Sequence, residues 1–274
     1  MSPERRLGVC AVVHAADRAD ALAARLARLQ RALGRPLAVR VGVAASSPLQ
    51  ADAVAAKFAE AGLSVDDCRR VDDTYFDFSA YGEAAQAFDA ASMSGMVFVN
   101  DTLVAKHDSP HLLRQFASRV READALHAAF PMLVGPYRQS EFSVGDGRND
   151  EFVSTFLFHL NASGVAVLRD LVPELAGAKA ALEAGQLHAP GLQDELLRLC
   201  SVHALQVRHR YLPGDIGRLA CKLATAYVER RLSQQVRAQG LVWYVAGGML
   251  GRLLVPLQLA LGRVLRPSRG GPSR

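Results

Sequence analysis

An α/β fold with a mainly parallel sheet, of Rossmann-like character, is predicted by three features of the chain. Short apolar runs rich in β-branched residues recur along its first half. Amphipathic, helix-like stretches separate them, and the runs lack a polar face. Strands that are apolar on both sides suit a sheet covered by helices on either face, which is the setting of parallel strands.

Leu7 to His14 (LGVCAVVH) is the first buried strand. Ala19 to Leu33, rich in Ala, Leu and Arg, follows as an amphipathic helix, and Leu37 to Val43 as the second strand. Ala51 to Ala61 forms another helix ending at Gly62, a residue favoured just past a last helical turn. Leu63 to Val71 returns as a short strand. A helix over Ser79 to Ala91 leads into the strand Met96 to Val99, and a helix over Pro110 to Ala123 into the strand Ala128 to Gly135. Beyond that point the alternation weakens. The stretch Tyr137 to Glu151, with Gly145, Gly147 and several charges, reads as a mobile or site-lining loop. Ser154 to Leu160 is a strand, helices fall around Val165 to Leu175 and Gly191 to His203, and Leu205 to Leu212 alternates as a late edge strand.

With 274 residues, half of them apolar, the chain can bury one large domain, or one domain with an appendage. The division expected is a body over residues 1–214 and a basic amphipathic tail over 215–274. From Ile216 onward ten Lys or Arg face the single acid Glu229, so of the net charge of +5 residues 216–274 carry +9 and the residues before them −4. That is not the pattern of a nucleic-acid binder, whose cations would line one face among exposed aromatics. It suits contact with an anionic membrane surface. Ile216 to Gln239 reads as a long helix, and an apolar stretch runs from Leu241 to Leu265, interrupted by Arg252, Pro256 and Gln258. A central Arg disfavours spanning a bilayer, so residues 216–266 are expected to lie on a membrane surface or on a partner, with an ordinary core or dimer helix as the alternative. Cys10, Cys68, Cys200 and Cys221 show no metal-ligand spacing and no signal peptide precedes them, which points to free thiols and a cytoplasmic location.

The chemistry concentrates between residues 72 and 104. An apolar strand ends in Asn100-Asp101-Thr102, and upstream Asp77-Phe78-Ser79-Ala80-Tyr81-Gly82 opens a helix. A strand that stops at an Asp presents a carboxylate at the carboxyl edge of the sheet, where open α/β folds bind ligands. Asn and Asp also suit plain helix caps and turns. In order and separation the two motifs resemble the nucleotide-sugar glycosyltransferases of the GT-A fold, with the nearest likeness to bacterial polysaccharide enzymes of the rhamnan-synthesis type. The resemblance extends over about residues 7 to 212.

That resemblance implies a transferase moving a sugar from a nucleotide-diphosphate donor to a glycan acceptor, lipid-linked if the tail lies on the inner face of the plasma membrane. It implies a Mg²⁺ or Mn²⁺ ion held by Asp101 and bridging the donor's phosphates, since hard ions take carboxylate and phosphate oxygens. Asn100, where the family has its first Asp, is a weaker, neutral oxygen ligand. Asp77, Ser79, Tyr81 and Gly82 would then wall the nucleotide, the free N–H groups of a helix start facing it. Asp194 is the first candidate, and Glu195 the second, for the base accepting the acceptor's proton, although carboxylates at a helix start also simply complement its dipole. His203, His209 and Arg138 are weaker site candidates. The alternative is a noncatalytic GT-A-like scaffold that has lost its metal site at Asn100 and docks a partner transferase. A nucleotidyltransferase would need a Gly-rich basic signature after the first strand, which His14 to Arg18 does not supply. No dinucleotide-binding, P-loop, serine-hydrolase or zincin motif occurs.

Overall fold

A computed structural model describes residues 5–107, 109–142, 149–184 and 216–245. Its strands are β1 (Arg6–Val13), β2 (Leu37–Ala44), β3 (Val65–Val71), β4 (Met93–Asn100), β5 (Met132–Gly135), β6 (Arg138–Phe142), β7 (Asn149–Val153), β8 (Leu157–Asn161) and β9 (Leu241–Tyr244). Its helices are α1 (Ala19–Leu33), α2 (Ala51–Glu60), α3 (Asp77–Gln86), α4 (Thr102–Lys106), α5 (Pro110–Ala125), α6 (Ala162–Leu171), α7 (Glu174–Glu183) and α8 (Ile216–Gln239), with one 3₁₀ turn at Ala16–Arg18.

Seven strands form one sheet in the order β3-β2-β1-β4-β8-β5-β9. The pairings β1–β2, β1–β4, β2–β3 and β5–β9 are parallel, and only β8 runs against its neighbours β4 and β5. The fold is therefore the expected α/β type with a mostly parallel, mixed sheet and flanking helices. Alternation along β1 explains its apolar run: Val9, Ala11 and Val13 face one core with α1, α2 and α5, while Cys10 and Val12 face the other. The second core is closed by α3, α6, α7 and α8. Gly62 ends α2 in the left-handed region at φ 82°, as its place in the sequence suggested.

Four expectations need correction. The strand expected from Ala128 begins only at Met132, because the carbonyls of Ala128 and Phe130 are bonded by Asn161 Nδ2 at 3.2 and 2.9 Å instead of by a neighbouring strand. Asn161 Oδ1 accepts from Met132 N and from Gly164 N, both at 2.9 Å, so one side chain starts β5 and caps α6. The stretch Tyr137 to Glu151 holds the β6–β7 hairpin and is not simply a loop. Finally, the described part of the expected tail, residues 216–245, is built into the body. The α8 residues Ala224, Ala226, Val228, Leu232 and Val236 are buried in the second core, and Glu229 Oε1 accepts from Thr155 N at 2.8 Å. Leu241 to Tyr244, expected to open a membrane-lying stretch, instead adds the edge strand β9. Amphipathic periodicity located α8 correctly, but its apolar face meets α6, α7 and β7, not a lipid surface. Among the described residues no helix is long and apolar enough to cross a membrane.

Candidate active site

The order β3-β2-β1-β4 contains a switch point. Successive strands build outward from β1 through β2 to β3, and the next strand, β4, is laid on the other side of β1. The two connections therefore leave in opposite directions, the arrangement at which open α/β sheets form the crevice that takes their ligands. The β1–β4 register places Val12 beside Asn100, so His14 and Asp101 meet at that point.

Asp101 bridges it. Its Oδ2 accepts from the backbone N–H of His14 at 3.0 Å and of Ala15 at 2.8 Å, and its Oδ1 lies 3.6 Å from Arg18 Nη1. Only 3 % of its side chain is exposed. Two charge-assisted bonds from the β1–α1 loop make this carboxylate a clamp on that loop. Asn100 is buried as well. Its Nδ2 donates to Asp77 Oδ2 at 2.5 Å, while its Oδ1 accepts from Thr102 N at 2.9 Å. Asp77 Oδ1 is 2.7 Å from His14 Nε2, a contact joining residues 63 apart in the chain. Burial disfavours the imidazolium of His14, but the hydrogen bond and charge of Asp77, with Asp101 and Asp73 behind it, outweigh burial and raise its pKa.

The neighbouring loops complete the rim. Asp73 Oδ2 accepts from Ser46 N at 3.3 Å and from the Ser46 hydroxyl. Partial burial would raise the Asp73 pKa, yet these bonds and the nearby His14 and Arg218 lower it. Phe76, just before Asp77, is held at φ 54°, ψ −134°, a conformation a non-glycine residue adopts only at a cost of order 1–3 kcal/mol. Lys222 Nζ and Arg218 Cζ of α8 stand over its ring, 5.0 and 5.4 Å from the centroid. Thr225 of the same helix donates to Cys221 O at 2.8 Å and approaches Tyr75 O at 3.3 Å, which sets α8 beside this loop.

The motif residues thus divide. Asp77, Asn100 and Asp101 come together, while Ser79 serves the turn, accepting from Tyr75 N at 3.1 Å and contacting Asp72 Oδ2 at 3.4 Å. Tyr81 and Gly82 do not form a nucleotide wall. Tyr81 is fully buried, edge-on to Phe78, Phe98 and Phe158, and its hydroxyl donates to Thr155 O at 3.2 Å. A Cβ on Gly82 would lie 2.7 Å from Val172 Cγ1, so the close approach that requires glycine is to the end of α6. Both belong to the core because α3 turns that face inward. Asp194, Glu195, His203 and His209 lie outside the described residues. The residue that sequence reasoning missed is His14. Its only local signal was a polar ring closing an otherwise apolar strand.

A divalent ion does not fit Asp101 as it stands. Oδ2 already accepts two N–H groups, Oδ1 faces a guanidinium that would repel a cation, and both Asp77 oxygens are engaged by His14 and Asn100. A cavity of about 610 Å³ lies elsewhere, at the amino edge of the parallel strands, lined by Arg5, Arg35, Ser94, Asp124 and His127 among others. No protein-family model matches this sequence, and no curated protein matches it either.

Proposed function

We propose that the protein is a GT-A-like glycosyltransferase that moves a sugar from a nucleotide-diphosphate donor to a glycan acceptor in cell-surface polysaccharide synthesis. One observation carries this reading: His14, Asp77, Asn100 and Asp101 converge at the β1–β4 switch point, where open α/β sheets take their ligands. The order of motifs along the chain supports the same family. In this reading the Asp101 clamp holds the β1–α1 loop in shape for the donor, and Asp77 orients His14 toward the crevice. The imidazole, when protonated, can then donate to an anionic group, and Asp73 on the opposite loop offers an acceptor for a ribose or base.

The occupied carboxylates favour a second reading, a noncatalytic scaffold of the same fold. Sugar nucleotides carrying UDP, GDP and dTDP, tested against the purified chain, separate the two. A ligand that binds only the folded state must raise the unfolding midpoint. The enzyme reading expects stabilisation by at least one donor, slow release of its sugar, and loss of that release in Asp77→Asn. A full panel that neither stabilises nor turns over, with or without Mn²⁺, leaves the scaffold.

A further inference from the structure

We propose that this site, on the reading above, meets the charge of a nucleoside diphosphate with the chain's own cations instead of a divalent ion: Arg18 from one face of the sheet and Lys222, with Arg218, from the other. Arg18 ends the 3₁₀ turn that leads into α1, in the layer packed with α2 and α5. Lys222 and Arg218 belong to α8, in the layer packed with α6 and α7. The two layers deliver positive charge to the same carboxyl edge, where Asp101 touches Arg18 and Phe76 supports Lys222.

Arg18 and Lys222 are fixed but loosely held. Arg18 retains 39 % side-chain exposure, and its 3.6 Å ion pair with Asp101 engages at most one of the five N–H donors a guanidinium carries. Lys222 sits over an apolar ring, an attraction that a phosphate oxygen readily supersedes. An arginine fork suits a phosphate bidentately, and a lysine adds a compact point charge. A divalent ion at Asp101 or Asp77 would have to break the loop clamp or the His14–Asp77–Asn100 chain to find a ligand. The acidic residues therefore shape the site, and the basic ones bind.

The test titrates UDP, GDP and dTDP into the full chain, once in EDTA and once with Mn²⁺, following affinity by calorimetry. The expected result is binding of at least one nucleotide in EDTA, changed less than about twofold by Mn²⁺. Arg18→Ala and Lys222→Ala should each weaken it by roughly tenfold, the loss of one charge-assisted contact. Arg18→Lys and Lys222→Arg, which keep the charge and guard against a folding defect, should recover part of the affinity. Binding that appears only with Mn²⁺ overturns this inference and leaves the glycosyltransferase reading intact. So does binding in EDTA that ignores both alanine variants. Absence of binding both in EDTA and with Mn²⁺ overturns both.

Discussion

Replacing Asp101 separates a loop clamp from a metal ligand without any substrate. Asp101→Ala removes the acceptor for His14 N–H at 3.0 Å and Ala15 N–H at 2.8 Å, and strips Arg18 of its partner at 3.6 Å. Hydrogen bonds to a charged group are worth roughly 1.5–3 kcal/mol each, and the half-exposed Arg18 pair adds at most about 1 kcal/mol. Because the two bonds share one oxygen, a total loss of about 3–5 kcal/mol is expected. Asp101→Asn keeps an oxygen for both N–H groups and gives up only the charge, so it should cost about 1–2 kcal/mol. Urea unfolding at pH 7, followed by far-UV circular dichroism, measures both, and an unchanged slope shows that the folded and unfolded states are otherwise comparable. A carboxylate kept for an absent ion behaves oppositely, since its removal relieves repulsion among Asp73, Asp77 and Asp101. An Asp101→Ala protein as stable as the parent would refute the clamp.

Two further outcomes follow from the body of the fold. His159 is fully buried with neither ring nitrogen hydrogen-bonded, and burial, outweighing the attraction of Asp124 at 3.6 Å and reinforced by Arg35, pushes its pKa down from 6.5 to about 4. The contact with Asp124 is thus not an ion pair at neutral pH. Since the folded pKa lies below the unfolded one, the unfolded chain binds the proton first. Stability is full above pH 6.5 and falls as the pH drops toward 4, by about 2 kcal/mol at pH 5. Denaturation midpoints compared at pH 7.5 and 5 should show a slope that His159→Phe reduces. At Gly95, a Cβ would lie 2.5 Å from Leu160 O and 2.7 Å from His159 Nε2, where the antiparallel strand β8 crosses close to β4. Gly95→Ala should cost about 1–3 kcal/mol and lower the thermal midpoint by at least a few degrees in calorimetry.

Much of the fold could be read from local pattern, because a strand buried on both faces must be apolar throughout and a helix must repeat its apolar face every turn or so. Those rules located β1, β2, β4, α1, α5 and α8 to within a few residues. They also marked Asn100 and Asp101 as the polar end of a buried strand. Local pattern does not say what a face packs against. The apolar side of α8 looked like a membrane-binding surface until α6 and α7 were seen to cover it. Tyr81 looked like part of a nucleotide wall until three aromatic rings enclosed it.

The sequence alone determined the sheet's class and the position of its polar edge, since both follow from residue type and spacing within one element. Only the tertiary structure decided which way the carboxylates turn. The partners of Asp101 and Asp77 come from the first strand's end, 87 and 63 residues away, and a hydrogen bond over that separation has no trace in local spacing.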